Sequence, residues 1–188
     1  MFPISHFNIT RTPFYYYDKT LLSNTLAKLI RLAGERNYHV HYAVKANANP
    51  EILKLIAASG IGADCVSGGE IKAALDAGFP AKKIVFAGVG KADWEIEYAL
   101  EKKIFCFNVE SAEELSVIEE LAKKKENIAS IALRINPNID AHTHEYITTG
   151  LSENKFGIPI EMLDSIFSQI QRSPHVQLVG FHFHIGSQ

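Results

Sequence analysis

No apolar stretch in this 188-residue chain approaches the ~20 residues that span a bilayer, and the opening MFPISHFNIT has no apolar core of the kind a secretion signal carries. A cytoplasmic protein is therefore expected. Charge of one sign is also missing. The 19 Lys+Arg face 21 Asp+Glu, a formal net charge of -2, which removes the electrostatic case for nucleic acid or an anionic membrane as partner. Cysteine is scarce. Cys65 and Cys106 each sit inside an apolar run, in no disulfide or metal-ligand spacing, and read as buried free thiols of a reducing compartment. Low-complexity tracts, charge blocks and linkers are absent. The chain is thus long enough for one sizeable core, burying roughly 70% of its unfolded surface.

What is present is an alternation. Apolar runs rich in β-branched and aromatic residues stand at YHVHYAVK, GADCVS, KIVFAG, IFCFNV, SIALRI and QLVGFHFHI. Helical patterns separate them. PEILKLIAASG opens on Pro50 and stops at Gly60, and GGEIKAALDAGFP ends in Gly then Pro. KADWEIEYALEKK puts Trp94, Tyr98 and Leu100 on its apolar side. ESAEELSVIEELAKKK has Ser111 and Glu114 at capping-box spacing, and IPIEMLDSIFSQIQRS supplies the last helix. Strand then helix at this spacing predicts parallel strands joined by crossover helices. Such strands are buried on both faces and read as apolar throughout. The first strand-to-helix turn, KANANPE, lacks Gly-x-Gly-x-x-Gly, which argues against an open dinucleotide-binding sheet. About six βα units are legible where a (β/α)8 TIM barrel has eight. The expected fold is α/β, a partial TIM barrel over residues 19–188 belonging to a longer protein. The stop at GFHFHIGSQ, on a core strand and its turn, points the same way. TPFYYYD is out of phase with the barrel pattern. It is expected to be a strand of another sheet, which sets residues 1–18 apart.

In such a barrel chemistry sits at the C-terminal ends of the strands. The polar residues there are Lys45, then Asp64 and Ser67, Gly88 to Lys91, Asn108 and Glu110, Arg134 and Asn136, and finally His184 and Ser187. Taken singly, each has an ordinary reading: a solvated lysine, a structural arginine, an aspartate bonded to its turn. Together they bring to one mouth an amine, a cation, carboxylates, an imidazole and a Gly-Ser turn whose N–H groups suit phosphate. They offer no cysteine cluster and no set of carboxylates for a hard metal. An amine inside an apolar barrel is expected to be desolvated and nucleophilic. Lys45 then reads as a Schiff-base lysine for an aldehyde, with Ala43, Ala46 and Ala48 leaving room for a flat ring. His182 and His184 are two apart and share one strand face, with Phe181 and Phe183 on the other. His-x-His is also a metal pattern of barrel hydrolases. That reading expects the pair on the first strand and further His and Asp ligands later, whereas here it lies on the sixth. His182 also reads as a core histidine one layer down.

In order along the chain, YAVKAN, GADCVSGGE, FAGVGK, FNVES, LRINP, HEYITTGLSENKFGI and GFHFHIGSQ resemble the motifs of the fold-type III pyridoxal-phosphate decarboxylases. The resemblance runs from TPFYYYD to the end. It implies pyridoxal 5'-phosphate as cofactor and no metal. Lys45 would carry the cofactor as an imine, His184 would stack on its ring, and Ser187 would bind its phosphate. Asp64 and Arg134 match residues lining the cofactor pocket, and Lys45 and His184 are the implied catalytic residues. Glu70 also matches a pocket position, with helix capping as the alternative. His144 to Lys155 resembles a segment that folds over the mouth. Glu145 and Asn138–Asp140 depart from the pattern, and His142 is given no role. The implied activity is decarboxylation of meso-2,6-diaminopimelate to L-lysine and carbon dioxide. Ornithine, arginine and carboxynorspermidine are rival substrates. A cofactor-free binding protein is the rival of another class, and it would be expected to have lost Lys45 or Ser187. The resemblance further implies a homodimer, a β-rich second domain that includes residues 1–18, and no turnover by residues 1–188 alone.

Overall fold

The apolar runs form strands over their central residues only, in a computed structural model that describes residues 3–136 and 156–184. The strands are β1 (His41–Ala43), β2 (Gly62–Cys65), β3 (Ile84–Phe86), β4 (Cys106–Val109), β5 (Ala129–Arg134) and β6 (Val176–His182). The helices among the described residues are α1 (Ile4–Phe7), α2 (Lys19–Gly34), α3 (Pro50–Ala58), α4 (Gly68–Asp76), α5 (Asp93–Lys102), α6 (Ala112–Lys124) and α7 (Leu163–Arg172). Short polar side chains start α2, α3, α4 and α6, as expected of N-caps. Asn49 accepts the N–H of Glu51 at 3.0 Å with Pro50 in the first turn. Ser67 accepts that of Glu70 at 3.2 Å and Ser111 that of Glu114 at 3.1 Å. Helix α2 was not among the expected elements. Asp18 caps it through the N–H of Leu21 at 2.9 Å, and Leu22, Leu26 and Ile30 turn toward the core.

All six strands are parallel and follow one another in the order β1-β2-β3-β4-β5-β6. Right-handed crossovers repeated without a reversal lay the crossover helices α3 to α7 on one face of the sheet. That is barrel winding; a doubly wound sheet needs a switch point. The expected partial TIM barrel is the fold observed. The helix-side core joins Leu53, Ile56, Ile71, Ile96, Leu115 and Ile118 to Cys65, Phe86, Phe107, Ile131 and Leu133 of the strands. Strand alternation turns Asp64, Asn108 and Arg134 to the opposite, concave face. Gly62 lets three strands approach closely at their start. A Cβ there would run into the His41 ring and stand 2.5 Å from the Lys83 carbonyl oxygen.

One irregularity decides where a histidine goes. Ile131 pairs with Leu178 but Ala132 pairs with Gly180, so β6 carries an extra residue, Val179. A bulge of this kind reverses the phase of everything after it. Val176 and Leu178 pack on the helix side. Beyond the bulge, Phe181 stands beside Leu133 and meets Phe167 edge-on at 6.2 Å. His182 stands beside Arg134 on the concave face. Were Val179 paired in a regular ladder instead of bulged, strict alternation from Leu178 would aim His182 at the helices.

One expectation needs correction. Trp94 is 62% exposed, and α5 buries Glu95, Ile96, Ala99 and Leu100 instead. The Glu95 carboxylate is drawn inward to accept the N–H of Gly68 at 2.7 Å and of Ala92 at 2.9 Å, which rolls Trp94 out over Gly68. TPFYYYD forms no strand among the described residues. No ladder partner is present for it, and Tyr15 is 89% exposed. Phe7 packs on Phe14 and Tyr16 at 5.4 and 5.1 Å. Among the described residues, no helix is long and apolar enough to cross a membrane.

Candidate active site

Lys45 occupies a single 3-10 turn, Val44–Ala46, directly after β1. The sequence KANANP builds that turn from short amides, which bond their own backbone readily. The Asn47 side chain accepts the N–H of Asn49 at 2.9 Å, and the Tyr42 hydroxyl donates to the Asn47 carbonyl at 3.2 Å. Val44 is buried beneath, and Lys45 is exposed. The desolvation expected for the amine is not met, because β1 is an edge of the described sheet and has a neighbour, β2, on one side only. Lys45 nonetheless shares a neighbourhood with Asp64 and His184. Burial pushes the Asp64 carboxyl above its ordinary range, while Lys45 opposes the shift, Glu70 adds to it and His184 opposes it. His184 is exposed, two residues beyond the end of β6.

Asp64 holds a buried oxygen, Oδ1, with no hydrogen-bond partner among the described residues. Glu70, the alternative pocket residue, is engaged elsewhere. Its Oε2 accepts the Val66 N–H at 2.8 Å while Ser67 caps α4, so both belong to the helix start. In the cofactor-free protein, Asp64→Asn is expected to raise stability at neutral pH and to lose that advantage in acid. With its pKa raised by folding, Asp64 loses stability for the chain as pH climbs through and above the usual carboxylate range. Below that range the group is neutral in both states and the cost vanishes. Urea midpoints of both proteins at neutral and acidic pH check this; an unchanged difference between the two pH values would contradict it.

Across the mouth, Glu110 and Arg134 form an ion pair. Both Glu110 oxygens accept from Arg134 Nη1, at 2.8 and 2.6 Å, and Oε1 also takes the Gly88 N–H at 3.3 Å. The guanidinium lies 5.7 Å from the centre of the Phe156 ring. Phe156 is held there by the strand-like exchange of Ile158 with Arg134 and Asn136, at 2.7 and 2.9 Å. Gly157, at φ +91°, makes that return possible, since a Cβ would stand 3.1 Å from the Arg134 carbonyl oxygen. His182 faces the pair with its Nδ1 buried and unpartnered among the described residues. Burial lowers its pKa, and the charge of Arg134 lowers it further; Glu110 opposes, while His184 and Lys91 act in the same direction as Arg134. His184 is the group that acts on both Asp64 and His182.

The structure thus brings together Lys45, Asp64, Arg134 and His184, with His182 added. Ser187, His142, Glu145, Asn138–Asp140 and the segment His144 to Lys155 lie outside the described residues. Sequence reasoning singled out Glu114 only as a helix cap, and passed over its ion pair with Lys91 at 2.6 Å. A lysine after one strand and a glutamate after the next, in parallel neighbours, was the available signal. Cys65 and Cys106 are buried and free, their thiols pushed by desolvation up to about 12 and about 11, so both are inert at neutral pH. Among the described residues, no group of three or more His, Cys, Asp or Glu is placed to hold a metal ion. A cavity of about 490 Å³ opens at the other end of the sheet, where Val40, Ile61, Lys83 and Phe105 precede their strands. None of the residues at the mouth lines it.

Known proteins resemble the chain throughout. Residues 23–188 match the family model for pyridoxal-dependent decarboxylase, pyridoxal binding domain. A diaminopimelate decarboxylase of Bacteroides thetaiotaomicron is 59% identical over 189 residues, covering 100% of this chain and 49% of that protein. One of Campylobacter jejuni is 45% identical over 177 residues, covering 94% and 44%. The crystal structure of diaminopimelate decarboxylase from Helicobacter pylori complexed with L-lysine superposes with a TM-score of 0.87 at 45% identity, covering 98% of this chain and 47% of that one. The chain spans about half the length of the relatives it matches.

Proposed function

The chain belongs to the pyridoxal-dependent decarboxylases through its pyridoxal-binding domain, and on that premise we propose that the whole protein removes a carboxylate from meso-2,6-diaminopimelate, releasing L-lysine and carbon dioxide. The named relatives support the substrate, and the Helicobacter pylori protein was crystallised with L-lysine, the product of that reaction. The observation that carries the reading is the convergence of Lys45, Asp64, Arg134, His182 and His184 on one end of the sheet.

The residues present fit pyridoxal phosphate. Two buried polar atoms at the mouth, Asp64 Oδ1 and His182 Nδ1, lack protein partners among the described residues, and a polar ligand would answer them. The Lys45 amine would hold the aldehyde covalently, His184 would stack on the ring, and Ser187 would bind the phosphate. Asp64 and Arg134 would line the pocket. When bound, pyridoxal phosphate supplies a conjugated ring that takes up the electron pair left as carbon dioxide departs. The chain supplies placement. Lys45 is open to solvent, so a substrate amine reaches Nζ directly. Burial pushes the Asp64 carboxyl above its ordinary range beside Lys45 and His184, which favours its neutral form there. Glu110 grips Arg134 through both oxygens, which presents the guanidinium charge at a fixed point.

The whole protein is further read as a cytoplasmic homodimer with a β-rich second domain. Phe14 to Tyr17, exposed and without a ladder partner among the described residues, would join that domain. The decisive assay offers the whole protein and pyridoxal phosphate to diaminopimelate, ornithine and arginine in turn. Diaminopimelate should be preferred in kcat/KM by on the order of 100-fold or more, since a site built for a second polar group rejects analogues lacking it. Preference for ornithine or arginine would transfer the assignment to that substrate. Release of carbon dioxide from none of them would overturn it.

A further inference from the structure

Behind the Glu110–Arg134 pair lies a deeper ion pair that no step of the proposed reaction uses. The Lys91 side chain is 1% exposed. Its ammonium donates to Glu114 Oε1 at 2.6 Å, to the Gly88 carbonyl at 2.7 Å and to the Asn108 carbonyl at 2.9 Å. Three donors meet three acceptors, so the cation is fully used, and the Phe86 ring lies 5.4 Å away. The other Glu114 oxygen accepts the Glu110 N–H at 2.8 Å. Glu110 in turn takes the Gly88 N–H and both contacts from Arg134. The bonds close a ring through Gly88, Lys91, Glu114 and Glu110, joining the ends of β3 and β4, with Arg134 of β5 fastened to its rim. Gly88 sits at φ +103°, a conformation that suits glycine and lets both its N–H and its carbonyl face the ring.

We infer that Lys91 is a positioning residue, which fixes Glu110 and through it sets the guanidinium of Arg134 for the cofactor. A buried ion pair is weak as a source of net stability, because desolvating both charges offsets their attraction. It is effective at holding neighbours in one place. The Lys91 side chain is sealed from the open mouth and bonds none of Arg134's atoms, and the hydrogen-bonded route from it to Arg134 runs through Glu114 and Glu110. The inference rests on the reading that Arg134 lines the cofactor pocket.

The test is a double-mutant cycle in the whole protein, read as the dissociation constant of pyridoxal phosphate from its visible absorption. Lys91→Met should weaken binding by about tenfold or more, the usual weight of a charged hydrogen-bonded group. In an Arg134→Met background, Lys91→Met should add little, because its route is already cut. Lys91→Met with Glu114→Gln, which removes both buried charges, should fold with near-native stability and still bind the cofactor weakly. This second variant carries the test if the single variant fails to fold. Unchanged affinity in both Lys91 variants, or losses that add fully to that of Arg134→Met, would overturn the inference and leave the site reading standing. A parent protein that binds no pyridoxal phosphate would overturn the site reading itself, and this inference with it.

Discussion

Lys45→Ala in the whole protein should abolish the visible band of bound pyridoxal phosphate and lower carbon dioxide release on the order of 10³-fold or more, the scale expected when a covalent anchor is lost. The size of the effect follows from the lack of a substitute. Forming a covalent link to an aldehyde needs an amine, and the other groups at the mouth are imidazoles, carboxylates and a guanidinium. Among the described residues the further lysine near it, Lys91, is sealed and saturated by Glu114, Gly88 and Asn108. It lacks the access to take over. Lys45, by contrast, projects from an exposed turn beside Asp64 and His184. A spectrum of Lys45→Ala that keeps the band, with activity near that of the parent, would show that some other amine does the work.

The second large effect concerns stability. Arg134→Met should cost about 3 kcal/mol, and Glu110→Gln clearly less, although each breaks the same pair. The asymmetry comes from depth. The Glu110 side chain is 4% exposed and that of Arg134 is 16% exposed. Removing the arginine strands a carboxylate in the interior. Removing the charge of Glu110 leaves a guanidinium that is nearer to water and still rests against Phe156. A glutamine at 110 also keeps an oxygen for the Gly88 N–H. Urea unfolding of the three cofactor-free proteins measures the difference. Equal losses, or a larger loss for Glu110→Gln, would contradict the ranking.

Much of the scaffold was legible because parallel strands buried on both faces leave apolar runs that little else explains. Their lengths were not. YHVHYAVK yields a ladder over His41–Ala43 alone, since pairing starts where Gly62 stands beside His41. The period of two put His182 and His184 on one face, but the strand ends at His182, and only His182 takes its face from the ladder. That His182 meets the concave face depends on the bulge at Val179, an extra residue visible only in the register with β5. The capping role of Glu114 was written in its spacing from Ser111. Its bond to Lys91 crosses 23 residues of sequence and appears only once β3 and β4 lie side by side. Trp94 misled because an apolar side chain was expected to outrank a glutamate for burial. Glu95 satisfies two backbone N–H groups that would otherwise lack partners, and that decides the helix's rotation. The exposure of Lys45 was beyond sequence reading for another reason: burial at a strand end depends on what stands on both sides of the strand, and β1 has one neighbour here.

The most direct measurement is to reduce the whole protein, loaded with pyridoxal phosphate, with borohydride and to map the modified peptide by mass spectrometry. A single phosphopyridoxyl group on the peptide containing Lys45 is the predicted result. A label on a different lysine, or no label on a protein that still releases carbon dioxide, would contradict it.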